Sequence, residues 1–471
     1  MSADRKRSVR GIALGGTDRR LRVVAVAAAA AGLFAVAACA PGTGATGTKR
    51  AAPSGPVSTD PAKAGKVTLT EWDQNTSDSG MNDATEALNK AFEKKYPNVT
   101  IKRVSRSFQD LKTTLKLALS SNDPPDVVQA NQGYPDMGAF VKAGLLTPVN
   151  RYSDVYGWGK AYPAELLNLN RFSADGKTWR TGDLYGISQT GEIVGVYYNK
   201  AVLKKLGVAP PVTYADFAAA LPKVKAKGTL PVAFGNSDKS PAIQLFGVTN
   251  ANTAGKQTVR DLVFDEHGKS WTNAGSEKAA TTIQSWAKKG YLSPGFNGMT
   301  MDSAQTQFTG GKTAFMLNGT WAQADVQQKL GAGNVGFVAL APSAGATPVT
   351  QGGEGLAWSI TSKSKHPDVA AAYLNFITNP AAMTEIARTG ALPALPPASY
   401  QPPKGTVAAD ILAYWRKVST GDGLVPYLDY TTPTFYDTLT TGLQELLAGH
   451  LTPAAFGKQL QTDYDTFRKN R

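Results

Sequence analysis

At 471 residues, the chain is long enough for two or three domains, and its 42% hydrophobic and 18% charged content excludes disorder throughout. One cysteine and three widely separated histidines (His267, His366, His450) exclude an intrachain disulfide and a Cys- or His-rich metal site, and no cofactor is expected. The formal charge is +14, of which residues 1–38 carry +5; the other bases are scattered, with no run suited to a nucleic-acid arm.

Arg5, Lys6, Arg7, Arg10, Arg19, Arg20 and Arg22 form a basic start, and Val23 to Ala38 follows without a charge. That apolar run is too short for a comfortable membrane span and reads as a secretory signal peptide over 1–38. Arg19-Arg20-Leu21-Arg22 fits a twin-arginine export pattern poorly. The run ends Val36-Ala37-Ala38-Cys39, which resembles the lipobox of bacterial lipoproteins. The resemblance implies that Cys39 is lipidated and anchors the exported chain on the extracellular face of the cell membrane, two acyl chains sufficing for stable anchoring. Residues 39–64 are rich in Gly, Ala, Thr, Pro and Ser and read as a flexible tether.

Val67 to Trp72 alternates as a strand. Ala84, Leu88 and Phe92 recur at helical spacing before Pro97, and Val99 to Val104 reads as a second strand. Phe108, Leu111, Leu115 and Leu119 mark a second helix, and Pro125-Asp126-Val127-Val128 begins a short buried strand. Met137 to Ala143 reads as helix, stopped by Gly144. Strand and helix alternate at βαβ spacing, which predicts an α/β fold with a mostly parallel sheet. Ligands in such sheets bind beyond the carboxyl ends of strands, here near Trp72, Asp73 and Gln74 and near Asn131 and Gln132.

Phe172–Trp179 and Phe264–Trp271 share one pattern, with a Gly after Asp or His between β-forming residues, and both read as hairpins. Gly-Lys-Thr or Gly-Lys-Ser occurs at Gly176, Gly268 and Gly311, but the earlier glycine of a P-loop is missing each time, which argues against nucleotide hydrolysis. No Gly-x-Ser-x-Gly elbow is present, and Ser285-x-x-Lys288 sits in a helix-like stretch with Trp286 as core. Carboxylates are numerous enough for a glycosidase pair, but sequence alone places no two of them together.

The order of several segments resembles the extracellular solute-binding proteins of ATP-binding-cassette importers, in the carbohydrate-binding group that includes maltose-binding protein. Asn89 to Val99, Pro125-Asp126-Val127, Leu184 to Ile187 with Val196 to Lys200, and Thr389 to Pro393 are similar to landmarks of that family. The most specific is Phe308 to Trp321, with Gly311-Lys312, a short strand, then Gly319-Thr320-Trp321. In place of the acidic residue often found after the third strand stands Gln129-Ala130-Asn131-Gln132. The resemblance implies a two-lobed periplasmic-binding-protein fold, with lobe one at 65–190 plus 352–397, lobe two at 191–345 plus 398–471, and a crossing segment at 346–351. It further implies a non-enzymatic monomer that takes a neutral carbohydrate in an interlobe cleft and delivers it to the importer's membrane permease subunits.

A sugar presents hydroxyls that need paired donors and acceptors, and C–H faces that lie on aromatic rings. By that chemistry and the resemblance, the candidate ligand residues are Trp72, Asp73, Gln74, Asn131, Gln132, Glu192, Asn236, Asn318, Trp321, Gly353, Glu354 and Tyr436. Each has an alternative as a cap, turn or core residue, and Trp358 and Trp286 read as core. A polyamine or peptide site, or an anchored carbohydrate-active enzyme, remains a competing reading.

Overall fold

The computed structural model describes residues 55–76 and 80–470; the signal-peptide and Cys39 expectations lie outside them. In lobe one, strand β1 (Val67–Asp73) buries alternate residues, so Leu69, Glu71 and Asp73 face inward. The helix Gly80–Lys95 buries Ala84, Leu88 and Phe92 on one stripe and returns the chain to β2 (Val99–Ser105), parallel to β1. Ser107 caps the helix Phe108–Ser120 by accepting from the Asp110 N–H at 3.1 Å, and Leu111, Leu115 and Leu119 are its buried face. Strand β3 (Val127–Ala130) is buried on both faces and runs parallel to β1. Where a helix is expected over 137–143, a π-helical turn (Tyr134–Gly138) leads into one short α-helical turn (Ala139–Lys142), and Gly144 at φ +67° ends it.

Strands β4 (Arg171–Phe172) and β5 (Asp183–Leu184) form a small antiparallel pair. The turn between Phe172 and Trp179 closes as a hairpin, with those two residues bridged. Its sequence twin does not: Phe264 ends the helix Lys256–Phe264, and Asp265 and His267 take left-handed backbone after it. The same letters follow a helical hydrophobic stripe (Val259, Leu262, Val263) there, and the stripe decides the outcome.

Lobe two is built on β6 (Gly191–Asn199), which is antiparallel to three strands: β8 (Thr313–Gly319), β9 (Val335–Val338) and β10 (Thr350–Glu354). Strand β7 (Leu230–Ala233) lies parallel to β8, and β12 (Leu424–Val425) parallel to β10. The helix Ser240–Thr253 is buried almost all round, from Pro241 to Ala251, and the helices Ala274–Lys288 and Phe435–Ala448 pack on it. Strand β11 (Ala357–Ile360) returns to lobe one and pairs antiparallel with β3, completing the order β11-β3-β1-β2. Trp358 is fully buried there and Trp286 is buried in lobe two.

Two expected boundaries move. Residues 55–64 are not tether but part of lobe one: Asp60 caps a 3-10 turn (Pro61–Ala64), Pro61 is buried, and Asn98 Nδ2 donates to the Pro61 carbonyl at 2.9 Å. Residues 352–354 belong to lobe two, and the chain leaves it at Gly355-Leu356 rather than over 346–351. Gly352 lets β10 lie tightly on β6, since a Cβ there would stand 2.2 Å from the Glu192 carbonyl oxygen.

Three passages between the lobes run side by side. Ile187 and Trp358 exchange backbone hydrogen bonds at 3.1 and 2.8 Å, and the Gly355 N–H donates to the Thr190 carbonyl at 2.9 Å. The Gly191 N–H donates to the Leu392 carbonyl at 3.0 Å, and the Ala394 N–H to that of Gln189 at 2.9 Å. These bonds bundle the passages at one edge of the interlobe space.

Candidate functional site

Between the lobes lies a cavity of about 660 Å³. The ends of the strands supply its walls: Gln74, Asn75 and Thr76 follow β1, Asn131 follows β3, Asn318 and Trp321 come from the end of β8, and Glu192 from the start of β6. This is the crevice that α/β topology reserves for ligands.

The walls differ in chemistry. Lobe one contributes neutral polar groups, including Gln74, Asn75, Gln109, Gln129 and Asn131. Lobe two contributes the carboxyls Glu192, Asp238, Asp302, Asp325 and Asp429, together with Lys329, which pairs with Asp325 at 2.8 Å. Aromatic surface comes from Phe108 on one side and Trp321, Tyr427, Tyr430 and Tyr436 on the other.

The lining is braced from behind. Gln129 Oε1 accepts from the Gln74 backbone N–H at 2.9 Å, fixing the loop after β1. Asn131 Nδ2 donates to Asp136 at 3.1 Å, and Lys112 Nζ donates to the same carboxylate oxygen at 2.6 Å. Asn318 Nδ2 donates to Gln305 Oε1 at 3.2 Å, while Gln305 Nε2 donates to Asp325 at 2.6 Å. Two tyrosines join the walls: the Tyr430 hydroxyl lies 3.2 Å from Asn131 Oδ1 and 3.1 Å from Gln132 Oε1, and the Tyr436 hydroxyl donates to Gln109 Oε1 at 3.1 Å.

Burial pushes two lining carboxyls up. Glu192 reaches about 7, with the Tyr427 hydroxyl at 3.4 Å partly offsetting the loss of water. Asp429 reaches about 6, burial outweighing the opposing charge of Lys112. Each therefore holds its proton more readily than an ordinary carboxylate and can present a donor as well as acceptors.

Of the residues singled out from sequence, the structure gathers Gln74, Asn131, Glu192, Asn318, Trp321 and Tyr436 on the cavity lining. Six others lie outside it, each for a definable reason. Trp72 points to the other face of β1, where the Arg106 guanidinium lies 4.4 Å from its ring centroid. Asp73 is fully buried and taken bidentately by Arg103, at 2.8 and 2.9 Å. Gln132 donates to the Gly355 carbonyl at 2.8 Å and braces a passage between lobes. Asn236 accepts from the Ala242 N–H at 3.0 Å and donates to Asn297 at 3.0 Å, joining the start of one helix to a neighbouring loop. Gly353 stands opposite Glu192 within the sheet. Glu354 is buried behind it, accepting from Asn170 Nδ2 at 2.6 Å, and burial raises its carboxyl to about 7.

Sequence reasoning missed Asp238, Gln305, Asp325, Tyr427, Asp429 and Tyr430. The run Tyr427-Leu428-Asp429-Tyr430, which alternates aromatic and carboxyl groups just before Phe435-Tyr436, was the available signal. The others sit on helices and loops with nothing local to mark them.

Comparison with known proteins agrees with this architecture. The family model for bacterial extracellular solute-binding proteins matches residues 87–413. An uncharacterized ABC transporter extracellular-binding protein of Pyrococcus horikoshii is 29% identical over 310 residues, 63% of this chain and 65% of that one. A multiple sugar-binding protein of Streptococcus mutans is 26% identical over 330 residues, 68% of this chain and 73% of that one. Among solved structures, a chitin oligosaccharide binding protein superposes with a TM-score of 0.72 at 22% identity, covering 86% of this chain and 99% of the other, a likeness of fold. With a family model matched over more than half its length, the chain belongs to the bacterial extracellular solute-binding proteins.

Proposed function

We propose that the protein is the extracellular substrate-binding component of an ATP-binding-cassette importer. It captures a neutral disaccharide or oligosaccharide, of xylobiose, cellobiose, chitobiose or raffinose type, between its lobes and delivers it to the membrane permease. It acts as a monomer, held to the membrane through lipid on Cys39, and does no chemistry on its ligand.

The observation that carries this reading is the pairing of Trp321 with amide and carboxyl groups on the lining of one cavity. An indole face suits the C–H face of a sugar ring, and amides and carboxyls suit its hydroxyls. A volume of about 660 Å³ falls in the range of small-molecule sites and leaves room for more than one ring. The sugar-binding relative supports the same class. Closure follows if the ligand touches both walls, because it then binds the closed state more tightly than the open one.

The carboxyl groups confined to the lobe-two wall favour one second reading, a cationic amine ligand such as a polyamine. Calorimetric titration of the unlipidated protein with a panel of neutral di- and oligosaccharides, and with spermidine, separates the two. Saturable heat with a sugar and none with spermidine is expected; the reverse pattern overturns the carbohydrate reading.

A further inference from the structure

The lobes also meet away from the cavity. The segment between β4 and β5 carries Trp179 and Arg180 from lobe one onto lobe two. The Arg180 guanidinium carbon lies 3.8 Å from the Phe264 ring centroid, and its Nη1 lies 2.9 Å from Glu266 Oε1. Trp179 meets Phe264 at 5.3 Å and Tyr430 at 5.7 Å between ring centroids, both edge to face. Neither Trp179, Arg180, Phe264 nor Glu266 lines the cavity. Arg180 also holds φ at +64°, a left-handed backbone that non-glycine residues adopt rarely and that persists where surrounding contacts impose it.

We propose that this outer patch is a latch that holds the lobes closed without ligand, and that Arg180 thereby sets binding affinity from outside the cavity. The proposal rests on the reading of the cavity as the ligand site. An ion pair as exposed as Arg180 with Glu266, at 33% and 41%, contributes almost nothing measurable by itself. The guanidinium over the Phe264 ring and the edge-to-face rings beside it supply the attraction between the lobes here. Apparent dissociation constants equal the intrinsic constant divided by the fraction of binding-competent protein. A latch therefore changes affinity for every ligand by one common factor, whereas a residue touching the ligand changes it unequally from one ligand to the next.

The test reads closure directly. Spin labels are placed at Leu117→Cys on lobe one and Val212→Cys on lobe two, both exposed positions, in the chain carrying Cys39→Ser, and interlobe distances are measured by pulsed dipolar spectroscopy without ligand. The parent is expected to show a short-distance population. Arg180→Glu, which faces Glu266 with like charge, is expected to cut its ratio to the open population about 3- to 10-fold, and Arg180→Lys less. For any sugars that titrate, the dissociation constants should all rise by one common factor, the parent's closed fraction divided by the variant's. A parent that is wholly open without ligand, or an Arg180→Glu variant with an unchanged distance distribution and normal melting, overturns the latch. Failure of the carbohydrate reading registers separately, as no sugar of the panel shifting the parent's distances.

Discussion

The indole of Trp321 lies flat against Gly319: a Cβ built on that glycine would stand 2.0 Å from ring atom Cζ3. The absent side chain is the seat of the aromatic wall. Gly319→Ala should tilt the ring off the strand end and weaken sugar binding about 10-fold or more, while Trp321→Ala should cost roughly 2 to 4 kcal/mol, or 30- to 700-fold. Trp321 is half-buried and also touches the lobe-two core, so the ligand-free melting temperature should fall only modestly in either variant. The check is titration alongside thermal melts with and without sugar. A Trp321→Ala protein that melts far lower yet binds normally would place the indole in the core alone.

Stability should decline as pH rises toward 8. Glu71, Glu192 and Glu354 are each raised to about 7 by burial, whereas the unfolded chain ionises near its ordinary value of 4.5. Between those values the folded state binds more protons, so their contribution is full below about 4.5 and lost as pH passes about 7. Each such group accounts for roughly 3 kcal/mol over that window. Glu354 Oε1 and Asn170 Oδ1 are buried acceptors without hydrogen-bond partners. Glu354→Gln supplies an amide donor and removes the titration, so it should melt higher than the parent at pH 8 and flatten the profile of melting temperature against pH. An unchanged slope would exclude Glu354 as a source.

Asp73 should behave as a structural residue. Its carboxylate is buried under the Arg103 fork and also accepts from the Asn75 N–H at 2.7 Å. Arg103→Ala would strand Asp73 beside buried Glu71, and such losses cost about 3 to 5 kcal/mol. Chemical denaturation should show that loss, while sugar affinity, measured where both proteins are folded, changes less than about threefold. A large affinity change at full folding would return Asp73 to the binding site.

Membrane retention should depend on Cys39. No helix among the described residues is long and apolar enough to cross a membrane. Cys39→Ala should move the protein from the membrane fraction to the medium, as read by fractionation and immunoblotting. Equal retention would end the lipid-anchor proposal.

The alternation of strand and helix in lobe one was legible because each element buries its own stripe, as Leu111, Leu115 and Leu119 do. Half of the candidate site was legible too, since strand ends such as Gln74 and Asn131 carry polar groups where topology leaves a crevice. What sequence did not reveal depends on partners far along the chain. Asp73 looks like a ligand residue until Arg103 is seen to occupy it, and Glu354 until Asn170 does. Tyr427 and Tyr430 reach the cavity only because a 3-10 turn (Leu428–Tyr430) packs beside Gly133, where a Cβ would stand 2.5 Å from that of Tyr430.

The pairing of Val127 with Ile360 across the sheet of lobe one has a consequence for the order of folding. During synthesis, β3 has an open edge until the whole of 191–354, the larger part of lobe two, has emerged. Contacts so distant in sequence pay their loop-closure entropy before they return any stabilisation, which slows folding. Lobe one thus cannot complete itself as an early, independent unit. A truncation before Ala357 would leave the β3 edge as a template for pairing between molecules.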